Sequence, residues 1–319
     1  MRSLWLQDQK ITFRTDIPIP IHSEGEALIK VHLAGVCSTD LELMGGYYPF
    51  TGIPGHEFVG EVVSSPTGPS WVGKRVVGEI NIACGKCYMC QTGFPRHCQN
   101  RKTLGIHGWN GAFAEYLVLP LVNLHEVPAK IPDEVAVFAE PLAAACEILE
   151  QVQLNQDAKV LVIGAGRLGQ LVAQVLQTTG CDLQVLTRNP RATELLAARE
   201  IQSISEANLP GKRYDTVVEA TGSPDGFKLA HHSVRPRGTI ILKSTYKGEA
   251  RVNLSSVVVD EVTLVGSRCG PFEPALELLK SGRVYPAHLI DAIYPLEQGL
   301  LAFEHAARPG ALKILSRLG

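Results

Sequence analysis

Three side chains in the first part of the chain, Cys37, His56 and Glu57, offer a thiolate, an imidazole and a carboxylate separated by a loop. Catalytic zinc takes three protein ligands of mixed S, N and O type and keeps a fourth position for water or substrate. Donors scattered along a chain therefore suit catalysis better than architecture. Taken alone, a buried cysteine near a buried histidine and an unrelated surface glutamate would look the same. A second group is more specific: Cys84, Cys87 and Cys90 are separated by two residues each, and Cys98 follows after seven more. Such gaps let successive thiolates converge on one ion while a loop returns the fourth. The result is a closed, structural S4 zinc site in a lobe of residues 84–98. A disulfide pair or an iron–sulfur cluster is the other reading of these cysteines. His97 is expected to be a solvated neighbour, since four sulfurs fill the shell.

The third constellation is Gly164-Ala165-Gly166-Arg167-Leu168-Gly169, set between the apolar run 159–163 and a helical stretch. Glycines at this spacing permit a tight turn, close approach of backbone to a pyrophosphate and close helix-to-strand packing, with the phosphates at the helix N-terminus. Gly164, Gly166, Arg167, Leu168 and Gly169 are thus expected to bind a dinucleotide, together with Thr221 at the end of a later strand. An NAD site places Asp or Glu about twenty residues beyond the glycines, where it accepts from the ribose 2′-hydroxyl. This chain has Thr187-Arg188-Asn189 there. Arg188, with Thr187 and Arg191, can form charge-assisted bonds to a 2′-phosphate, so NADP is expected ahead of NAD. Ordinary solvated loop residues are the alternative.

These groups need elements to hold them. Alternating runs at 11–14, 26–33, 58–63, 75–80 and 114–119, separated by Gly, Pro and Ser clusters, read as short strands of a β-barrel or sandwich carrying the donors on its loops. From residue 134 to 149 the apolar spacing turns helical and marks a seam between domains. Glu140 lies among Phe138, Ala139 and Leu142, where burial is costly unless a cation such as zinc balances the charge. A helix-capping or solvated role is the other possibility. Beyond it the strand runs at 159–163, 183–186, 216–222, 238–243 and 262–266 alternate with helices, the rhythm of a mostly parallel, doubly wound sheet.

A length of 319 residues suggests two domains, and 45% hydrophobic with 19% charged residues fits a well-buried globular chain. A net charge of -2 and no Lys/Arg run give no footprint for nucleic acid or an anionic membrane. Charge appears at once at the N-terminus, so neither a signal peptide nor a membrane span is expected and the cytoplasm is the expected location. Eight cysteines in that compartment point to metal ligands or small core residues rather than disulfides.

The cysteine lobe, the Gly55-His56-Glu57 triplet and the upstream Gly35-Val36-Cys37-Ser38-Thr39-Asp40 resemble the zinc-containing medium-chain alcohol and polyol dehydrogenases. The motifs are nearest to the sorbitol, threonine and glucose dehydrogenase types, and the order of elements matches along nearly the whole chain. The resemblance implies an α/β chain with a GroES-like β-barrel catalytic domain at 1–141 and 271–319, and a Rossmann doubly wound dinucleotide-binding domain at 142–270. It implies two Zn2+ per chain and NADP or NAD as cofactor. Cys37, His56 and Glu140 take the places of the catalytic ligands, with Glu57 joining them or orienting the shell. Thr39 matches the relay residue that passes the hydroxyl proton outward, and Glu42 stands where many relatives have histidine. Arg268 is implied to lie near cofactor or substrate, and the run around Leu264 to be an edge strand for a homodimer or homotetramer. The implied reaction is hydride transfer between an alcohol or polyol and NAD(P), with NADP favoured. A zinc-independent quinone or enoyl reductase and a non-catalytic NADP-binding sensor are the alternatives. Tyr47, Tyr48, Phe50 and Trp109 are candidate walls of a substrate pocket, which would favour a bulkier or partly apolar alcohol over a small polyol, or they are packing residues.

Overall fold

Along residues 26–36 every second side chain is apolar, and Ala27, Ile29, Val31 and Leu33 are buried. That period of two is what a pleated strand with one buried face requires. The computed structural model describes residues 1–246, 249 and 252–318, which fall into two units. The first comprises Met1–Glu140, Ala275–Ser281 and Tyr285–Gly319; the second comprises Pro141–Pro274 and Gly282–Val284.

In the first unit the strand Glu26–Val36 is central. The sheet order is Leu124–Glu126, Arg75–Gly78, Glu57–Ser64, Glu26–Val36, Lys313–Arg317, Ile290–Pro295, and Tyr116–Pro120 also pairs with Glu26–Val36. Register decides what meets at its end: Gly35 pairs with Glu57 on one side and with Leu315 on the other. The chain then turns into the short helix Ser38–Met44, whose N-cap is Cys37. Asp40 accepts a hydrogen bond from the Cys37 N–H at 2.8 Å through Oδ2, a capping bond that satisfies a donor at the turn.

The second unit holds six parallel strands in the order Gln202–Ile204, Asp182–Leu186, Lys159–Ile163, Tyr214–Glu219, Val234–Leu242, Thr263–Gly266. The strand order reverses between Lys159–Ile163 and Tyr214–Glu219, and ligands of doubly wound sheets bind outside the strand ends at such a switch point. Leu161, Ile163, Tyr214, Val217 and Ile240 belong to one buried cluster that fixes these strands to their helices. Among the described residues no helix is long and apolar enough to cross a membrane.

Candidate active site

Strand pairing brings two of the expected donors together and a local turn brings the third. Sγ of Cys37, a ring nitrogen of His56 and a carboxylate oxygen of Glu57 lie within 4.8 Å of one another. Cys37 is half-buried; His56 and Glu57 are 3% and 1% exposed. Behind them stands Asp40, fully buried. Besides capping Cys37, its Oδ1 accepts from the Gly55 N–H at 3.1 Å and lies 3.5 Å from His56 Nδ1. One carboxylate thus ties the cysteine turn to the histidine turn and sets a negative charge beside His56 Nδ1. Burial alone lowers the His56 pKa, but the negative charges of Asp40 and Cys37 outweigh it and raise it well above the ordinary value. Sequence reasoning assigned Asp40 no role; its place three residues after the cysteine, at a capping position, was the available signal.

Glu57 has a second partner. Its Oε2 is ion-paired with Lys313 Nζ, which also lies 5.6 Å from the centre of the Phe138 ring. A Cβ at residue 35 would come within 2.3 Å of that Oε2, so Gly35 is what leaves room for the pair. Glu140 is half-buried in the first turn of the helix Ala139–Gln151 and does not join the three converging donors. Thr39 Oγ1 is 3.9 Å from Cys37 Sγ. Glu42, three residues further along the helix, keeps a buried Oε2 with no hydrogen-bond partner, and burial raises its pKa. Tyr47 and Tyr48 pack edge to face at 4.9 Å, while Trp109 donates its Nε1–H to the Val118 carbonyl at 2.8 Å and so serves packing.

The sulfurs of Cys84, Cys87, Cys90 and Cys98 also lie within 4.8 Å of one another. Cys87 Sγ is 3.4 Å from Cys90 Sγ and 3.8 Å from Cys98 Sγ. A tetrahedral ion with Zn–S bonds of about 2.3 Å separates its sulfurs by about 3.8 Å, so the set fits zinc. Among the described residues no disulfide joins any of the cysteines. The backbone N–H groups of Lys86 and Cys87 hold the Cys84 thiol down to about 6, while burial and the neighbouring thiols push Cys90 up to about 12. His97 is exposed, as expected.

In the second unit the glycine turn is built for a ligand. Gly164 has φ +100°, and a Cβ there would approach the Ala220 carbonyl to 2.8 Å. At Gly169 it would strike the Gly164 carbonyl at 1.9 Å, so helix and strand touch as backbone. Gly166 is the contrast: a Cβ would meet nothing within 4 Å, which leaves open space at the N-terminus of the helix Arg167–Gln177 where a pyrophosphate fits. Arg167 and Leu168 open that helix, half-buried. Thr187 accepts from the Asn189 N–H at 3.2 Å, and Arg188 is ion-paired with Glu206. Thr221 donates its hydroxyl to Glu219 Oε1 at 2.5 Å and accepts from the Ser223 N–H at 3.0 Å. Arg268 is exposed, and its carbonyl accepts from Lys243 Nζ at 2.9 Å. Lys243, 8% exposed, also donates to the Ala144 carbonyl and to Ser267 Oγ. It escaped sequence reasoning because an isolated lysine at a strand end carries no pattern.

The sequence profile of the alcohol dehydrogenase GroES-like domain matches residues 23–129, and that of shikimate / quinate 5-dehydrogenase matches residues 146–233. D-arabinitol dehydrogenase 1 of Uromyces fabae is 32% identical across 94% of this chain and 92% of its own. The chain belongs to the zinc-containing medium-chain alcohol and polyol dehydrogenases. Sorbitol dehydrogenase of Halalkalibacterium halodurans is 30% identical over 93% of each chain. Alcohol dehydrogenase TADH from Thermus sp. ATN1 superposes with a TM-score of 0.90 at 30% identity, with 100% of both chains covered. The dehydrogenase is accordingly an NAD(P)-dependent oxidoreductase acting on CH–OH, with a GroES-like domain and a Rossmann domain.

Proposed function

We propose that this dehydrogenase interconverts a polyol-type alcohol and the corresponding carbonyl compound, with NADP favoured over NAD. It would hold one zinc through Cys37, His56 and Glu140, with Glu57 beside it, and a second through Cys84, Cys87, Cys90 and Cys98. The convergence of the Cys37, His56 and Glu57 donors within 4.8 Å supports a metal there; Glu140, which does not join that cluster, enters as a ligand from the family resemblance alone. When bound, zinc supplies Lewis acidity that lowers the pKa of an alcohol, and the nicotinamide accepts the hydride from its carbon. The Cys37 thiolate and the Glu140 carboxylate match the charge of the ion, since Lys313 already matches Glu57. Asp40 sets its negative charge beside His56. The Thr39 hydroxyl donates and accepts at once, so it can pass on the alcohol proton. Three residues along the same helix face, Glu42 receives it, its proton affinity raised by burial. Polyols are favoured because the relatives named above act on arabinitol and sorbitol.

Zinc counting on purified protein, with a panel of polyols and either nucleotide, tests the proposal. Two ions per chain are expected, one for each cluster, falling to one in Cys37→Ala and Glu140→Ala. A single ion throughout, lost only when Cys84 is changed, would overturn it.

The oligomer is proposed to be a dimer built on the edge strand Thr263–Gly266. Among the described residues no strand pairs with its outer side, and Leu254, Val258 and Val259 on the adjoining helix are 64%, 74% and 80% exposed. Light scattering on a Val258→Asp variant should then read a monomer. A cysteine cluster suited to metal fits a reducing compartment and supports a cytoplasmic location.

A further inference from the structure

The strands Asp182–Leu186 and Gln202–Ile204 are parallel neighbours, and Leu186 pairs with Ile204. Two residues beyond this last pair on each strand come Arg188 and Glu206, so the register itself sets them side by side. The backbone there is pinned: Thr187 N–H donates to the Ile204 carbonyl at 3.3 Å, and Asn189 Oδ1 caps the helix Pro190–Ala197 by accepting from the Arg191 N–H at 3.0 Å. Both Nε and Nη2 of Arg188 point to one oxygen of Glu206, Nε at 2.8 Å. The charge of Arg188 also reaches Asp225, whose pKa it helps to lower after the larger effect of Lys228. The guanidinium expected to meet a 2′-phosphate therefore faces a carboxylate on its own sheet edge.

We propose that Glu206 sets the cofactor selectivity of this enzyme by holding Arg188 in an ion pair that a 2′-phosphate must displace. The inference rests on the reading that Arg188 meets that phosphate. An NAD site carries its acid at the end of the strand that follows the glycine turn. Here the acid comes from the next strand, where it occupies the guanidinium and cancels the charge that would attract a phosphate. The pair is exposed, 76% and 45% at its two side chains, so it is displaceable rather than blocking. Glu206 thus tunes a preference that Arg188 creates, and the wild-type enzyme retains use of both nucleotides.

Dissociation constants of NADPH and NADH, read by nicotinamide fluorescence on the purified protein, test this without any alcohol substrate. Glu206→Gln should tighten NADPH about fivefold, the upper end of what an exposed pair is worth, and leave NADH within about twofold. The gain should shrink at high salt, because the attraction it releases is screened. It should vanish in a Arg188→Ala background, because Glu206 acts through Arg188. Competition by adenosine 2′,5′-bisphosphate should follow NADPH, and competition by 5′-AMP should follow NADH. If Arg188→Ala weakens NADPH but Glu206→Gln changes neither nucleotide, or both equally, the role of Glu206 is overturned and the NADP reading stands. If Arg188→Ala leaves NADPH unchanged, both fall.

Discussion

Lys313 and Glu57 form an ion pair buried on both sides, 4% and 1% exposed, although 256 residues separate them in sequence. It links the two strands that flank the strand Glu26–Val36: the C-terminal strand supplies the cation, the strand after His56 supplies the carboxylate, and Gly35 between them supplies the gap. Removing one partner of such a pair leaves an uncompensated buried charge, which costs about 3–5 kcal/mol. Lys313→Met should lower the stability of the protein to chemical denaturation by that amount, and Lys313→Met with Glu57→Gln should recover part of it. A loss of less than about 1 kcal/mol in the single variant would mean that Lys313 does not balance Glu57.

Asp40 joins the two turns that carry Cys37 and His56, so its effect should be confined to one ion. Asp40→Asn keeps the shape but removes the charge. Affinity for the catalytic zinc should fall about 10–100-fold, measured by competition with a chromogenic chelator, while the S4 ion stays in place. Equal loss of both ions would show global disruption instead.

Asp133 gives the first unit a dependence on acid pH. His32 Nδ1 lies 2.8 Å from its Oδ2, and Arg75 Nη1 donates to its Oδ1 at 2.8 Å. The hydrogen bond with His32, opposed by burial and assisted by the charges of His32 and Arg75, lowers its pKa. A carboxyl depressed in the folded state contributes stability that is fully present above its unfolded pKa of about 3.9. That stability is lost as pH falls through the lower folded value. Thermal unfolding followed from neutral pH downwards should show an acid slope that Asp133→Asn makes shallower. An unchanged slope would remove Asp133 from the acid response.

Lys243 holds three acceptors from separate segments of the Rossmann unit: the Ala144 carbonyl, Ser267 Oγ and the Arg268 carbonyl. Truncation leaves these partly buried acceptors without their ammonium, so Lys243→Met should cost about 1–2 kcal/mol. It should also weaken NADPH and NADH to the same degree, unlike a change at Glu206, because it loosens a backbone segment rather than a phosphate contact. Selective loss of one nucleotide would contradict this role.

What the sequence determined by itself was local. Two-residue gaps bring the sulfurs of Cys84, Cys87 and Cys90 within reach of one another, glycine spacing shapes the turn at Gly164–Gly169, and alternation along 26–36 specifies a strand, because each depends on neighbours a few residues away. The family resemblance extended this to Cys37 and His56 across one loop. Tertiary structure decided the rest. That Glu57 meets Lys313, that Asp40 spans two turns and that Arg188 faces Glu206 all depend on which strands pair and in what register. Register between distant segments is set by the burial of whole faces, and no short pattern of residues records it.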